Sequence, residues 1–164
     1  MIVQQMQIPQ NILLKSCAFT GHRTAEEPFP EKQLKKEIKT LIKGGCLRFF
    51  CGMAQGFDLL SAELILREKK RNKDVRLIAC LPCENQEKYY PSIEKKRYQE
   101  ILRQADEKIC LAEQYYRGCM HVRDRYMADQ ADALIAFLRK DKGGTAFTVE
   151  YFQKKYPHKK LILL

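Results

Sequence analysis

Short apolar runs alternate with helix-length amphipathic segments along this chain, the arrangement expected of a parallel sheet covered by crossover helices. The apolar runs are Leu13–Phe19, Leu47–Cys51, Val75–Leu81, Glu107–Leu111, Ala133–Leu138 and Lys160–Leu164. Between them, Glu31–Lys43 sets Leu34, Ile38, Leu41 and Ile42 on one face at helical spacing. Gly44-Gly45 then ends that helix, as glycine does just past a C-cap. Phe57–Arg71 reads as a second helix, with Leu60 and Leu64 inward and a basic end that suits the helix dipole. Ser92–Gln104, His121–Gln130 and Thr148–Tyr156 read as three more. Crossovers between parallel strands are right-handed. The expected fold is therefore α/β, a Rossmann-like three-layer α/β/α sandwich with a mainly parallel sheet of about six strands. No linker, repeat or low-complexity stretch divides it, so residues 1–164 read as one domain.

Composition agrees with a packed core. Of 164 residues, 45% are apolar and 30% charged, and a domain of this size buries roughly 70% of the surface its unfolded chain exposes. No apolar run reaches the ~18 residues a membrane span needs. The stretch Met1–Pro9 has neither a basic start nor a continuous apolar run, so no signal peptide is expected. Seven cysteines, an odd number, lie mostly in or beside apolar runs, with Cys17, Cys51, Cys80 and Cys110 assigned to strands. They read as small buried hydrophobes in a reducing, cytoplasmic setting. Cys80-Leu-Pro-Cys83 is a lone C-x-x-C without a second pair, so neither a metal site nor redox chemistry is expected. The formal charge of +10 favours anionic ligands or partners. Its lysines are dispersed over helices at Lys32, Lys35, Lys36, Lys39 and Lys43 and near Lys154–Lys160, which fits solvated faces better than a polynucleotide track.

Open α/β sheets bind ligands beyond the carboxyl ends of their strands, which directs attention to three loops. Thr20-Gly21-His22-Arg23 follows the first strand; its glycine admits a close approach and its side chains offer donors to phosphate. Gly52-Met-Ala-Gln-Gly56-Phe-Asp58 follows the second and leads into a helix, where free backbone N–H groups and the helix dipole favour an anion. Asp58 reads first as the N-cap of that helix and second as an acceptor for ribose. The spacing G-x-x-x-G is not the dinucleotide fingerprint, so no nicotinamide or flavin cofactor is expected. The third cluster runs from Met120-His121-Val122-Arg123 through Asp124 to Gly143-Gly144-Thr145, Thr148 and Glu150. There a glycine pair again feeds a helix, and Arg123 and Glu150 could converge on a sugar phosphate or form a structural ion pair. Tyr89-Tyr90-Pro91 offers base-stacking surface, although such tyrosines more often pack against the protein.

From Phe19 to the last strand, these loops resemble the SLOG superfamily, which joins the DNA-processing protein A (Smf) proteins with the Lonely guy (LOG) proteins. Gly52–Asp58 is similar to the Smf loop G-[LM]-A-R-G-[IV]-D, with Gln55 at its arginine. Thr20–Arg23 resembles the turn after the first strand, and the closest likeness is to small bacterial members carrying T-G-H-R there. Met120–Arg123 is similar to the LOG motif M-H-x-R-K, with Asp124 at its lysine. Lys142–Glu150 resembles P-G-G-x-G-T-x-x-E, with Lys142, Ala146 and Phe147 at its Pro, third Gly and Thr. LOG proteins cleave nucleoside 5′-monophosphates to a base and ribose 5-phosphate. The resemblance implies that Arg123 and Glu150 would be the catalytic pair; related proteins commonly form dimers or larger assemblies, and the sequence leaves a homo-oligomer possible without fixing the state.

Three functions follow as expectations. The first is binding or sensing of a small nucleotide-like phosphate ligand, with Thr20, Gly21, His22, Arg23, Gly52, Gln55, Gly56, Gly143, Gly144, Thr145 and Thr148 around the phosphate and Asp58 and Glu150 near the sugar. The second is LOG-like phosphoribohydrolase activity through Arg123 and Glu150. The third is Smf-like binding of single-stranded nucleic acid.

Overall fold

The computed structural model describes residues 13–164; the reading of Met1–Pro9 lies outside the described residues. The elements run β1 (Ser16–Gly21), α1 (Glu31–Lys43), β2 (Arg48–Cys51), α2 (Phe57–Arg71), β3 (Arg76–Leu81), a 3-10 turn (Gln86–Tyr89), α3 (Ser92–Gln104), β4 (Glu107–Cys110), α4 (Cys119–Gln130), β5 (Ala133–Phe137), α5 (Gly144–Lys155) and β6 (Lys160–Leu163). The six strands form one sheet in the order β4-β3-β2-β1-β5-β6, and every neighbouring pair is parallel.

The period-2 alternation of strand side chains builds the layers. Cys17 and Phe19 of β1 join Phe49, Leu77 and Ile135 in a core covered by Leu34, Ile38, Phe57, Ile65 and Tyr98 from α1, α2 and α3. Ala18, between them, faces the other way and packs with Ile78, Leu134, Met127 and Phe152 under α4 and α5. The chain winds from β1 outward to β4, placing three helices on one face. It then crosses back to β5, placing two on the other, because right-handed crossovers change face when the winding direction reverses. The reversal point lies between β1 and β5, where Thr20 pairs with Ala136 and Gly21 with Phe137.

Local signals act as expected at the end of α1. Gly45 has φ of 99°, its N–H bonds to the Ile42 carbonyl and the Cys46 N–H to the Leu41 carbonyl, which is a Schellman stop. Other boundaries differ from the sequence reading. α5 begins at Gly144 rather than Thr148 and α4 at Cys119 rather than His121. Leu64 is buried in the core and Leu60, half-buried, packs against it as expected, while the fully buried Leu59 extends the inner face of α2. Cys110 is exposed because β4 is an edge strand, whereas the other six cysteines are buried, and all seven are free thiols. No helix among the described residues is long and apolar enough to cross a membrane.

Candidate functional site

A cavity of about 430 Å³ opens where the winding reverses. Its walls come from Thr20–Thr24 after β1, Ala54 before α2 and Asp58 in its first turn, Met120, His121, Arg123 and Asp124 on α4, and Lys140 with Lys142–Thr145 after β5. This is the crevice that the topology of an open α/β sheet provides for ligands. Residues far apart in sequence meet there because four strand-end loops converge on one point.

Three ionisable side chains form its floor. Asp58, Arg123 and Asp124 are all buried. Arg123 Nε donates to Asp124 Oδ1 at 2.7 Å, and its Nη1 donates to the Gly52 carbonyl. The Asp58 carboxylate accepts the Ala54 N–H at 3.2 Å. Burial raises the Asp58 pKa to about 7, and nearby Arg123 only partly offsets it. The Arg123 guanidinium stays charged, since the two carboxylates outweigh its own desolvation. Asp58 is not the N-cap of α2: Gly56 holds that position with φ of 74°, and Asp58 sits one residue inside the helix.

The candidate glycines divide into two groups. A Cβ on Gly21 would fall 2.3 Å from the Phe57 ring, one on Gly52 2.8 Å from the Arg123 guanidinium, and one on Gly56 2.1 Å from the Arg23 carbonyl oxygen. The close approach each of these allows is therefore made by the protein itself. The N–H of Phe57, at the head of α2, is also taken, donating to the His22 carbonyl at 3.2 Å. Gly143 and Gly144 differ: a Cβ on Gly143 would meet nothing within 4 Å, and one on Gly144 only Asp124 Oδ2 at 3.8 Å. The open helix start, with its free N–H groups and positive dipole end, is thus that of α5 and not that of α2.

The remaining candidates are placed as follows. Thr20 and Thr145 are buried and line the cavity. Thr148 is buried one turn further along α5 and donates its hydroxyl to the Gly144 carbonyl at 2.8 Å, outside the lining. His22 lines the cavity, but its Nε2 accepts the Arg139 N–H at 2.8 Å, leaving Nδ1 as the donor. Burial and the nearby Lys140 and Arg139 lower its pKa, which suits this neutral acceptor role. Arg23 is exposed at the rim with Lys140 and Lys142. Gln55 points to a neighbouring cavity instead.

Arg123 and Glu150 are not brought together. Glu150 lies on the outer face of α5, its side chain 64% exposed, in an ion pair with Lys154 at 2.6 Å. Glu150 is six residues into the helix that the Gly-Gly turn opens, ~9 Å along the axis at 1.5 Å per residue, and it does not line the cavity. Phe147 stacks on His121 with ring centroids 4.0 Å apart, joining α5 to α4 instead of offering a hydroxyl. Sequence reasoning missed Lys140, Ala54 and the floor position of Asp124; only the N-terminal placement of Lys140 relative to a Gly-Gly turn could have signalled it.

These features define a Rossmann-like α/β protein with a polar cavity at its topological switch point. The chain belongs to the YspA SLOG family, whose model matches residues 18–163. It is 27% identical to the SPbeta prophage-derived protein YoqJ of Bacillus subtilis over 77% of this chain and 81% of that one. A UPF0398 protein of Halalkalibacterium halodurans is 25% identical over 76% of this chain and 68% of its own length. Among solved structures, DNA processing protein A of Helicobacter pylori, described for its single-stranded DNA binding mode, superposes with a TM-score of 0.66 at 22% identity. The Streptococcus pneumoniae protein of the same name gives 0.61 at 19% identity. This chain is covered over 90% and 92% in these two matches but spans only 64% and 50% of the two DNA processing proteins. TM1055 gives 0.55 at 15% identity, over 87% of this chain and 70% of that one.

Proposed function

We propose that the cavity at the β1/β5 switch point binds a nucleotide or nucleotide-derived phosphate, and that the protein acts as a binder or sensor of it. The observation that carries this reading is the polarity of the cavity. Cations and free N–H groups gather at its rim, from Arg23, Lys140, Lys142 and the start of α5, while carboxylates gather at its floor, from Asp58 and Asp124. A phosphate suits the rim, where the helix dipole and lysines favour negative charge. Sugar hydroxyls suit the floor, where carboxylates accept hydrogen bonds.

Hydrolysis has less support than binding, since Glu150 is turned away and paired with Lys154. Single-stranded nucleic acid is the second reading. It is favoured by the likeness to the DNA processing proteins and by the charge of +10. A thermal-shift screen against nucleoside mono-, di- and triphosphates and ribose 5-phosphate tests the proposal. A ligand at ~100 times its Kd adds about 2.7 kcal/mol of stability, a shift such a screen resolves. Chromatography of each hit for free base separates binding from cleavage. No shift with any nucleotide, together with oligonucleotide affinity that falls steeply with salt, would replace the first reading with the second.

A further inference from the structure

A second cavity, of about 630 Å³, lies beside the first and is lined from the ends of β2, β3 and β4. Gln55 comes from the β2 end, Cys83 to Tyr90 from the β3 end, and Glu113 to Tyr115 from the β4 end. The two cavities share Arg23 and Met120 as lining. Their character differs. The first is floored by charge, whereas the second is flanked by two exposed tyrosine rings, Tyr89 at 86% and Tyr115 at 68% exposure, with Lys88 Nζ 5.3 Å from the Tyr89 ring centroid. Tyr90, between them in the chain, is instead committed to the fold: its hydroxyl donates to the Met53 carbonyl at 3.0 Å and its ring packs edge-on against Tyr98.

We infer that the second cavity seats the aromatic end of a two-part ligand whose phosphates lie at Arg23, so that the ligand class is a dinucleotide or other nucleoside diphosphate carrying a second cyclic group. This rests on the reading of the first cavity as a phosphate site. Three observations carry it. Each cavity alone falls within the ~300–1,000 Å³ range that holds a small ligand, so one nucleoside monophosphate does not require both. Arg23 stands at their junction, exposed and outside the ion pairs formed among the described residues, where a guanidinium can fork across two adjacent phosphates. Rings such as Tyr89 and Tyr115 give a heterocycle stacking surface with little conformational freedom to lose.

Calorimetric titration of the full chain with the four common nucleoside 5′-monophosphates and the matching P1,P2-dinucleoside 5′-diphosphates tests the inference. The expected result is that at least one dinucleoside diphosphate binds tenfold or more tightly than its monophosphate, and that the double variant Tyr89→Ala/Tyr115→Ala removes that gain while leaving monophosphate affinity unchanged. Both tyrosines are surface residues, and circular dichroism checks that the variant is folded. Equal affinity for the two ligand types, or a gain that survives in the variant, overturns the inference alone. So does a fall in monophosphate affinity in the variant, because a one-base ligand would then fill both cavities. Absence of binding by either type overturns the reading of the first cavity as well.

Discussion

The guanidinium of Arg123 occupies the space a side chain at Gly52 would need: a Cβ built there lies 2.8 Å from its Cζ and Nη1. The same guanidinium donates to the Gly52 carbonyl and to Asp124. One glycine therefore decides whether a buried cation can reach the floor of the cavity. Gly52→Ala should lower stability by about 1–3 kcal/mol, the usual cost of overpacking. It should also weaken nucleotide binding by displacing Arg123. Urea denaturation and calorimetry check the two effects; a variant as stable as the parent would show that Arg123 is free to move.

Asp58 gives the fold a pH dependence of unusual sign. Its pKa rises to about 7 on burial, against ~3.9 in an unfolded chain. The native state then holds this proton more tightly than the unfolded state. The contribution to stability is full below about pH 4, declines as pH rises, and is gone above about pH 7. Asp58→Asn keeps an acceptor for the Ala54 N–H without the charge. It should be more stable than the parent at pH 8 by about 1–3 kcal/mol, on the usual cost of a buried polar group. The difference between the two stability curves should shrink as pH falls from 7 towards 4. A difference that stays constant from pH 7 to about pH 5 would mean Asp58 is ionised in the native state over that range.

Alanine at the candidate glycines should separate packing from ligand contact. Gly56 combines φ of 74° with a carbonyl oxygen 2.1 Å from the position of a Cβ, so Gly56→Ala should cost more than about 3 kcal/mol. Gly144 is helical and open, with its nearest contact at 3.8 Å. Gly144→Ala should leave stability equal or raise it by about 0.5–1 kcal/mol, as glycine loses to alanine inside a helix. Nucleotide affinity should nevertheless fall fivefold or more, because a methyl group would crowd the free N–H groups of α5. Thermal denaturation and titration of the two variants check this; unchanged affinity in Gly144→Ala would move the anion away from α5.

Glu150→Gln tests the hydrolytic alternative directly. The carboxylate is exposed, and only the exposed Lys154 beside it lowers its pKa. The variant should match the parent in nucleotide affinity and in denaturation midpoint. Loss of any base-releasing activity in this variant alone would show that α5 re-sites Glu150 when ligand is bound.

The order of strands and helices was legible because hydrophobic periodicity is a local signal, and each run from β1 to β6 carries it. The loops were legible as places, since topology alone sends ligands to strand ends. What each glycine admits was not. Gly21, Gly52 and Gly56 read as approaches for a ligand, but Phe57, Arg123 and the Arg23 carbonyl fill them, and no local pattern records a contact between residues 52 and 123. The Gly143-Gly144 pair was legible as the turn that opens α5; the outward direction of Glu150 was not, because it depends on how the whole helix packs on α4 and the sheet. Tyr89-Tyr90 was read as packing surface; that holds for Tyr90, and the opposite exposure of Tyr89 depends on Tyr98 and Met53, which sequence proximity does not reveal.

The central place of β1 matters for a chain made from its N-terminus. Its neighbour β2 emerges from the ribosome soon after it, but Cys17 and Phe19 must wait for Ala133 and Ile135 before the other edge is paired. Until then a nascent chain presents an open edge of buried residues beside an incomplete crevice, with Asp58 already made and Arg123, Lys142 and Gly144 still to come. A ligand of this crevice could not template early folding, because its lining is complete only in a finished chain. During synthesis, protection of that edge falls to whatever else in the cell covers unpaired strands.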